Sequence, residues 1–153
     1  MYELLDPISD DSVATLQSMM AGLTFHDNDV RVGANGIEKL SVYETTKWLE
    51  WSREDRAAFK AALPEAYITQ AVIGSFLHLP ADTGFLDTQD FWTKTPMAGT
   101  MISYALEDDM DITIGDDTVT VSKGQGIKFH LSHTHEISTK ATDQNWACLM
   151  CMI

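Results

Sequence analysis

The stretch Ile127–Ser138 reads IKFHLSHTHEIS, and its rhythm decides the class of fold. Ile127, Phe129, Leu131, His133, His135 and Ile137 hold the odd positions, while Lys128, His130, Ser132, Thr134, Glu136 and Ser138 hold the even ones. Alternation with period two is the pattern of a strand with one face on a core, so the spacing predicts one long strand with its odd residues inward. His133 and His135 then share the buried face. Imidazoles are costly to bury among aliphatic side chains unless their nitrogens meet hydrogen-bond partners or a metal. A slip of one residue would bury Lys128 instead, which the cost of burying a charge opposes.

The neighbouring sequence has the same short-strand character. Asp111–Ile114 and Thr118–Ser122 flank Gly115-Asp116-Asp117 as a hairpin, and Lys123-Gly124-Gln125-Gly126 makes the turn into the histidine strand. Ala71–Leu79 is apolar on both faces and reads as a buried strand, Thr100–Leu106 as another, and Trp146–Ile153 as a closing buried strand. Residues 66–153 are therefore expected to form an antiparallel β-sandwich or barrel. Before residue 66 the period changes. Val13, Leu16, Met20 and Leu23 recur at helical spacing behind Ser9, an N-cap followed by Asp10 and Asp11. Ser52 and Asp55 form an S-x-x-D cap for a second helix over Ser52–Leu63, which Pro64 stops. Asp27–Gly36 reads as loop or hairpin, and Ser41–Trp51 is ambiguous. The expected organisation is one domain over 1–153, with a mainly helical part at 1–65 and a β jelly-roll core at 66–153, a mainly β, α+β class.

At 153 residues the chain suits one core and needs neither disulfides nor a structural metal to fold. Ten Lys+Arg against 23 Asp+Glu give a net charge of −13. Nucleic acid is thereby excluded as a partner, because that affinity comes from clustered cations, and an anionic membrane surface is disfavoured for the same reason. No apolar run reaches the ~20 residues of a spanning helix, and Met1–Asp10 is acidic, unlike a secretory signal. Cys148 and Cys151, both in the last apolar stretch, make no disulfide framework, which suits a reducing, cytoplasmic setting. Three residues apart on a strand, they also fall on opposite faces and make no C-x-x-C site. The acidic run Glu107–Asp111 lacks spaced calcium ligands and reads as a solvated turn.

The order hairpin, glycine turn, Gly126-Ile127-Lys128-Phe129 and then His135-Glu136-Ile137 resembles the second half of a double-stranded β-helix, the jelly-roll of cupins and Fe(II)/2-oxoglutarate oxygenases. Asp90–Tyr104 is similar to the early core strands of the oxygenases, and the N-terminal helices with Val30–Gly36 resemble the prolyl-4-hydroxylase-like branch. The resemblance implies a late metal-binding histidine, here His135, with Fe(II) and 2-oxoglutarate as cofactors. It also implies hydroxylation of a C–H bond on a small-molecule or peptide substrate.

The sequence departs from that pattern in two places. The oxygenases hold iron with two histidines and a carboxylate, the early pair written His-x-Asp or His-x-Glu, and no such pair occurs here. His78 with Asp82 or Asp87 is the nearest substitute, so the metal-ligand set considered is His135, His133, His78, Asp82 and Asp87. The arginine that binds the cosubstrate carboxylate is also missing, leaving Lys140 in a turn and Lys128 on the opposite strand face as the nearest cations. His133-Thr134-His135 has the His-x-His spacing of a cupin, though it sits late for one. The reading is an oxygenase-like protein with a degenerate metal triad. The alternative is a non-catalytic cupin-like jelly-roll that binds a ligand or assembles as a homo-oligomer, its histidines simply hydrogen-bonded in the core.

Overall fold

The computed structural model describes residues 2–32, 39–64, 71–79, 85–87, 99–114, 117–130, 135–138 and 144–152. Two antiparallel sheets carry the strands. A seven-stranded sheet is ordered β1 (Tyr2–Leu5), β9 (Gly126–His130), β6 (Gly99–Ala105), β11 (Gln144–Met152), β4 (Ala71–Leu79), β3 (Lys39–Thr46) and β2 (Phe25–Val32). A four-stranded sheet is ordered β5 (Phe85–Asp87), β10 (His135–Ser138), β7 (Met110–Ile114) and β8 (Asp117–Val121). From β4 onward the chain passes back and forth between the sheets, placing β4, β6, β9 and β11 in the larger and the remaining strands in the smaller.

Helices α1 (Asp10–Gly22) and α2 (Arg53–Ala62), the latter preceded by the short 3-10 turn Trp48–Glu50, cover one face of the larger sheet. Both caps are those the sequence proposes. Ser9 accepts a hydrogen bond from the Ser12 amide and Ser52 one from the Asp55 amide, each meeting a donor that the first turn leaves orphaned. Replacing Ser52 by Ala is expected to cost about 0.5–2 kcal/mol, read as a lower denaturant midpoint with an unchanged slope.

Under the helices lies an aromatic cluster. Trp51 stacks on Phe76 at 5.5 Å between centroids, and Phe59 meets the same ring edge-on at 5.5 Å. Leu16, Phe59, Phe76 and Leu106 are fully buried here, with Val13, Ile102 and Tyr104 packed around them. The opposite face of the larger sheet also buries its residues, among them Leu77, Ser103, Ala105, Ile127 and Phe129. Burial on both faces needs cover on both, and the four-stranded sheet, with its buried Ile112 and Val121, supplies the second layer.

The turn before β9 is made by Gly124, whose φ of 81° lies in the left-handed region open to glycine. Its amide donates to the Ala105 carbonyl at 2.7 Å and its carbonyl accepts from Ile8, locking β6, β9 and the start of α1 together. At β9 the expected register holds, since Ile127 and Phe129 are buried while Lys128 between them is half-buried.

Two expectations are corrected. Ile127–Ser138 is not one long strand, because β9 pairs with β1 and β6 in the larger sheet whereas β10 pairs with β5 and β7 in the smaller. Period two persists on both sides of the crossing since both segments face the same interior, so the pattern alone cannot mark the break. Residues before 66 supply strands as well as helices: β1 ends one side of the larger sheet, and the β2–β3 hairpin ends the other. Of the two readings given for Asp27–Gly36, the hairpin holds where residues are described, since β2 pairs antiparallel with β3; its polar composition fits an edge strand, which tolerates Asp and Asn. The hairpin turn at Gly115-Asp116 and the part of Asp90–Tyr104 before residue 99 lie outside the described residues.

Candidate functional site

The fold places the proposed ligands in two groups. His135 opens β10, paired with Ile114, and Asp87 closes β5, paired with Glu136. These two residues of the ligand set thus lie at the same end of the four-stranded sheet, but the single register step between them puts their positions on opposite faces of it. Ile137, two positions along from His135, is paired with the buried Ile112, so His135 holds a register position on the interior side of that sheet. His133, Asp82 and Lys140 lie outside the described residues. Among the described residues no group of three or more His, Cys, Asp or Glu side chains is placed to hold a metal ion.

His78 is elsewhere. It sits near the end of β4, where alternation puts it with Phe76 and Gly74 on the helix-covered face, while Leu77 takes the interior face. The β3–β4 register pairs His78 with Glu44, and His78 Nδ1 meets Glu44 Oε2 at 2.8 Å. Phe25 stands edge-on to the imidazole at 6.5 Å. His78 is therefore a partnered histidine on the outer side of the larger sheet and is not brought to His135. Lys128 shares that outer side, paired in register with Ile102 and Glu3, so it too is turned from the interior.

Around His78 the structure forms a cavity of about 330 Å³, lined by Gln17, Met20, Ala21, Phe25, Glu44, His78 and Glu107. Of these, His78 alone stands out in the sequence as a chemical residue. Glu44 and His78 are 34 residues apart and meet only through strand register, and Glu107 reads as part of a solvated turn. The Gln17 amide donates to the Leu106 carbonyl at 2.6 Å, fastening α1 to the chain leaving β6 and shaping this wall.

No family model matches the chain, and no curated protein matches it. Solved structures do. A 2OG-Fe(II) oxygenase family oxidoreductase from Burkholderia pseudomallei superposes with a TM-score of 0.68 at 10% identity, over 99% of this chain and 84% of that one. A prolyl hydroxylase from Trichoplax adhaerens, solved with a hypoxia inducible factor peptide, gives 0.64 at 10% identity over 99% and 83%. A predicted oxalate decarboxylase from Thermotoga maritima gives 0.54 at 14% identity over 87% and 96%. The fold is a double-stranded β-helix.

Within that double-stranded β-helix, the strands that alternate between sheets, β4 to β11, form the two-layered core, and β1 to β3 extend the larger layer. The superpositions establish this architecture, and identities of 10–14% leave the chemistry to the residues themselves. Among the described residues no helix is long and apolar enough to cross a membrane.

Proposed function

We propose that the chain is a protein of the Fe(II)/2-oxoglutarate oxygenase type with a reduced metal site at the His135 end of the four-stranded sheet. The observation that supports this reading is the register that gives His135 a position on the interior side of that sheet, two residues from Ile137, which pairs with the buried Ile112. Non-haem Fe(II) suits two imidazoles and one carboxylate, and His133 and Asp82 are the sequence-derived candidates to complete the set with His135, whereas Asp87, paired with Glu136, takes the opposite face. When bound, iron and 2-oxoglutarate supply oxidative hydroxylation, on a small molecule or peptide. The protein's own part is to hold the metal and to exclude water with the buried interior of Leu77, Ile112, Ile127 and Phe129.

The same chain argues for weak cosubstrate binding. β11 (QNWACLMCM), the strand that follows β10, carries no arginine or lysine to grip a distal carboxylate, and Lys128 lies on the outer side of the larger sheet. Loss of one charge-assisted pair costs about 1.5–3 kcal/mol, or roughly tenfold or more in affinity. A second reading, a metal-free jelly-roll that binds a ligand or partner, is favoured by this lack of a cation.

Anaerobic Fe(II) titration with succinate detection tests the two. The expected result is weak iron binding that His135→Ala reduces by more than the roughly 10–100-fold typical of losing a second-sphere group, with succinate release low or absent. Iron binding that His135→Ala leaves unchanged would overturn the assignment of His135. No iron binding by the wild-type chain would establish the metal-free reading instead.

A further inference from the structure

We propose that α2 and the 3-10 turn before it form a docking surface for a short acidic segment of another protein, one that carries an apolar side chain. The surface lies on the solvent side of the elements that cover the larger sheet, away from the interior proposed above for iron, and stands whether or not that reading does. Charge distribution carries the proposal. Residues 47–60 hold four of the chain's ten Lys and Arg but only three of its 23 Asp and Glu, so this stretch is net positive in a chain of net charge −13.

The cations of α2 share one side of it. At about 100° per residue, Arg53, Arg56 and Lys60 fall within about 60° of arc, and Glu54 and Asp55 each lie about 100° outside it. Arg56 and Lys60 stand over the Trp48 ring at 5.3 and 5.9 Å, and Arg56 donates from Nε and Nη2 to the Trp48 carbonyl at 3.2 and 2.9 Å, which fixes this stripe against the 3-10 turn. Arg53 is the first residue of α2, where the helix dipole favours an acid and opposes a cation, so helix stability does not account for it. These groups are also available. Lys47, Arg53 and Lys60 are exposed, and among the described residues none of the three is in an ion pair, although acids far outnumber bases in the chain. Leu49, next to Trp48, keeps 88% of its surface and sets an apolar contact beside the charges.

Charge also selects the occupant. Screening confines the reach of an exposed charge to about 8 Å at physiological salt, so a short acidic segment on the stripe meets its cations and not the acids on the rest of the chain. An anionic membrane or a nucleic acid is extended and would face those acids too, and a second copy of the chain brings its own −13. Acidic side chains of the segment pair with the stripe, and an apolar side chain between them covers Leu49.

The probe is a dye-labelled synthetic peptide rich in glutamate with one central leucine, titrated with the full chain and followed by fluorescence anisotropy, beside a counterpart with glutamine in place of glutamate. The expected result is saturable binding of the acidic peptide that weakens as salt is raised, and none of the glutamine peptide at the same concentrations. Arg53→Glu and Lys60→Glu should each weaken it by at least about threefold, and the double reversal further. Leu49→Ala should weaken it by at least about threefold through lost apolar contact. Lys123→Glu reverses an exposed cation in the turn before β9, makes the same change in net charge as either single reversal, and should leave binding unaltered. All the replaced side chains are exposed, so each variant is expected to keep the wild-type circular dichroism. Equal binding of the glutamine peptide, equal weakening by Lys123→Glu, undiminished binding in the double reversal, or no saturable binding would each overturn the proposal. Cosedimentation with phosphatidylserine vesicles, or self-association of the chain, that the double reversal abolishes would overturn it too, assigning the surface to a membrane or to a second copy.

Discussion

Phe76→Ala is expected to lower stability by about 3–5 kcal/mol, the usual cost of truncating a buried aromatic residue. With a urea slope of roughly 1–3 kcal/mol per molar, the midpoint should fall by on the order of 1–3 M. The reason lies in where the ring sits. Phe76 has no exposed surface, its ring is stacked on Trp51 at an interplanar angle of 19°, and Phe59 stands against it at 89°. It is thus the point where α2 and the 3-10 turn grip the larger sheet. The neighbours cannot close the void, because Trp51 is also in contact with Trp48 at 4.9 Å and Phe59 at 5.2 Å, and shifting one ring displaces the others. Leu49→Ala is the control. Leu49 is 88% exposed, so its loss should change stability by no more than about 0.5 kcal/mol. A cost below about 1 kcal/mol for Phe76→Ala would contradict the packing described.

Gly74→Ala is the second large effect, and it acts by excess volume. A Cβ at Gly74 would stand 2.5 Å from Cε1 and 3.0 Å from Cζ of Phe59, and 3.0 Å from Cζ3 of Trp48. Those atoms belong to rings wedged in the same cluster, so neither can swing away as a flexible chain end would. Overpacking of this kind costs about 1–3 kcal/mol. Gly22→Ala supplies the contrast, since a Cβ there meets nothing within 4 Å at the last position of α1. It should be neutral or stabilising by up to about 1 kcal/mol, through lower chain entropy in the unfolded state. Combining Gly74→Ala with Phe59→Leu should recover part of the loss, with a coupling of at least about 0.5 kcal/mol between the two changes. Strict additivity would show that the Phe59 ring is not what the new methyl meets.

Much of the fold is legible in local sequence. Ser9 and Ser52 mark the starts of both helices because a side-chain oxygen there meets an orphan amide whatever the rest of the chain does. Ala71–Leu79 is read to its ends since its apolar residues fall on both faces, as in a strand covered on both. The β7–β8 pair and the Lys123–Gly126 turn follow from glycine placement. Edge strands are the blind spot. β2 ends the sheet order, and the polar composition an edge strand tolerates left its segment open between loop and hairpin.

The candidate sites divide along the same line. By itself the sequence determined that period-two strands build the core, that Ile127 and Phe129 face inward with Lys128 between them, and that His135 follows on the same alternation. Only the tertiary structure decided that β9 and β10 belong to different sheets, that Asp87 pairs with Glu136 and so takes the face opposite His135, and that His78 faces the helices in the company of Glu44. The physical reason is that alternation is a property of one strand, whereas partnership is set by hydrogen-bond register between strands. His78 and Glu44, 34 residues apart, meet because β3 and β4 align at that step, and a shift of one residue would send His78 to the other face.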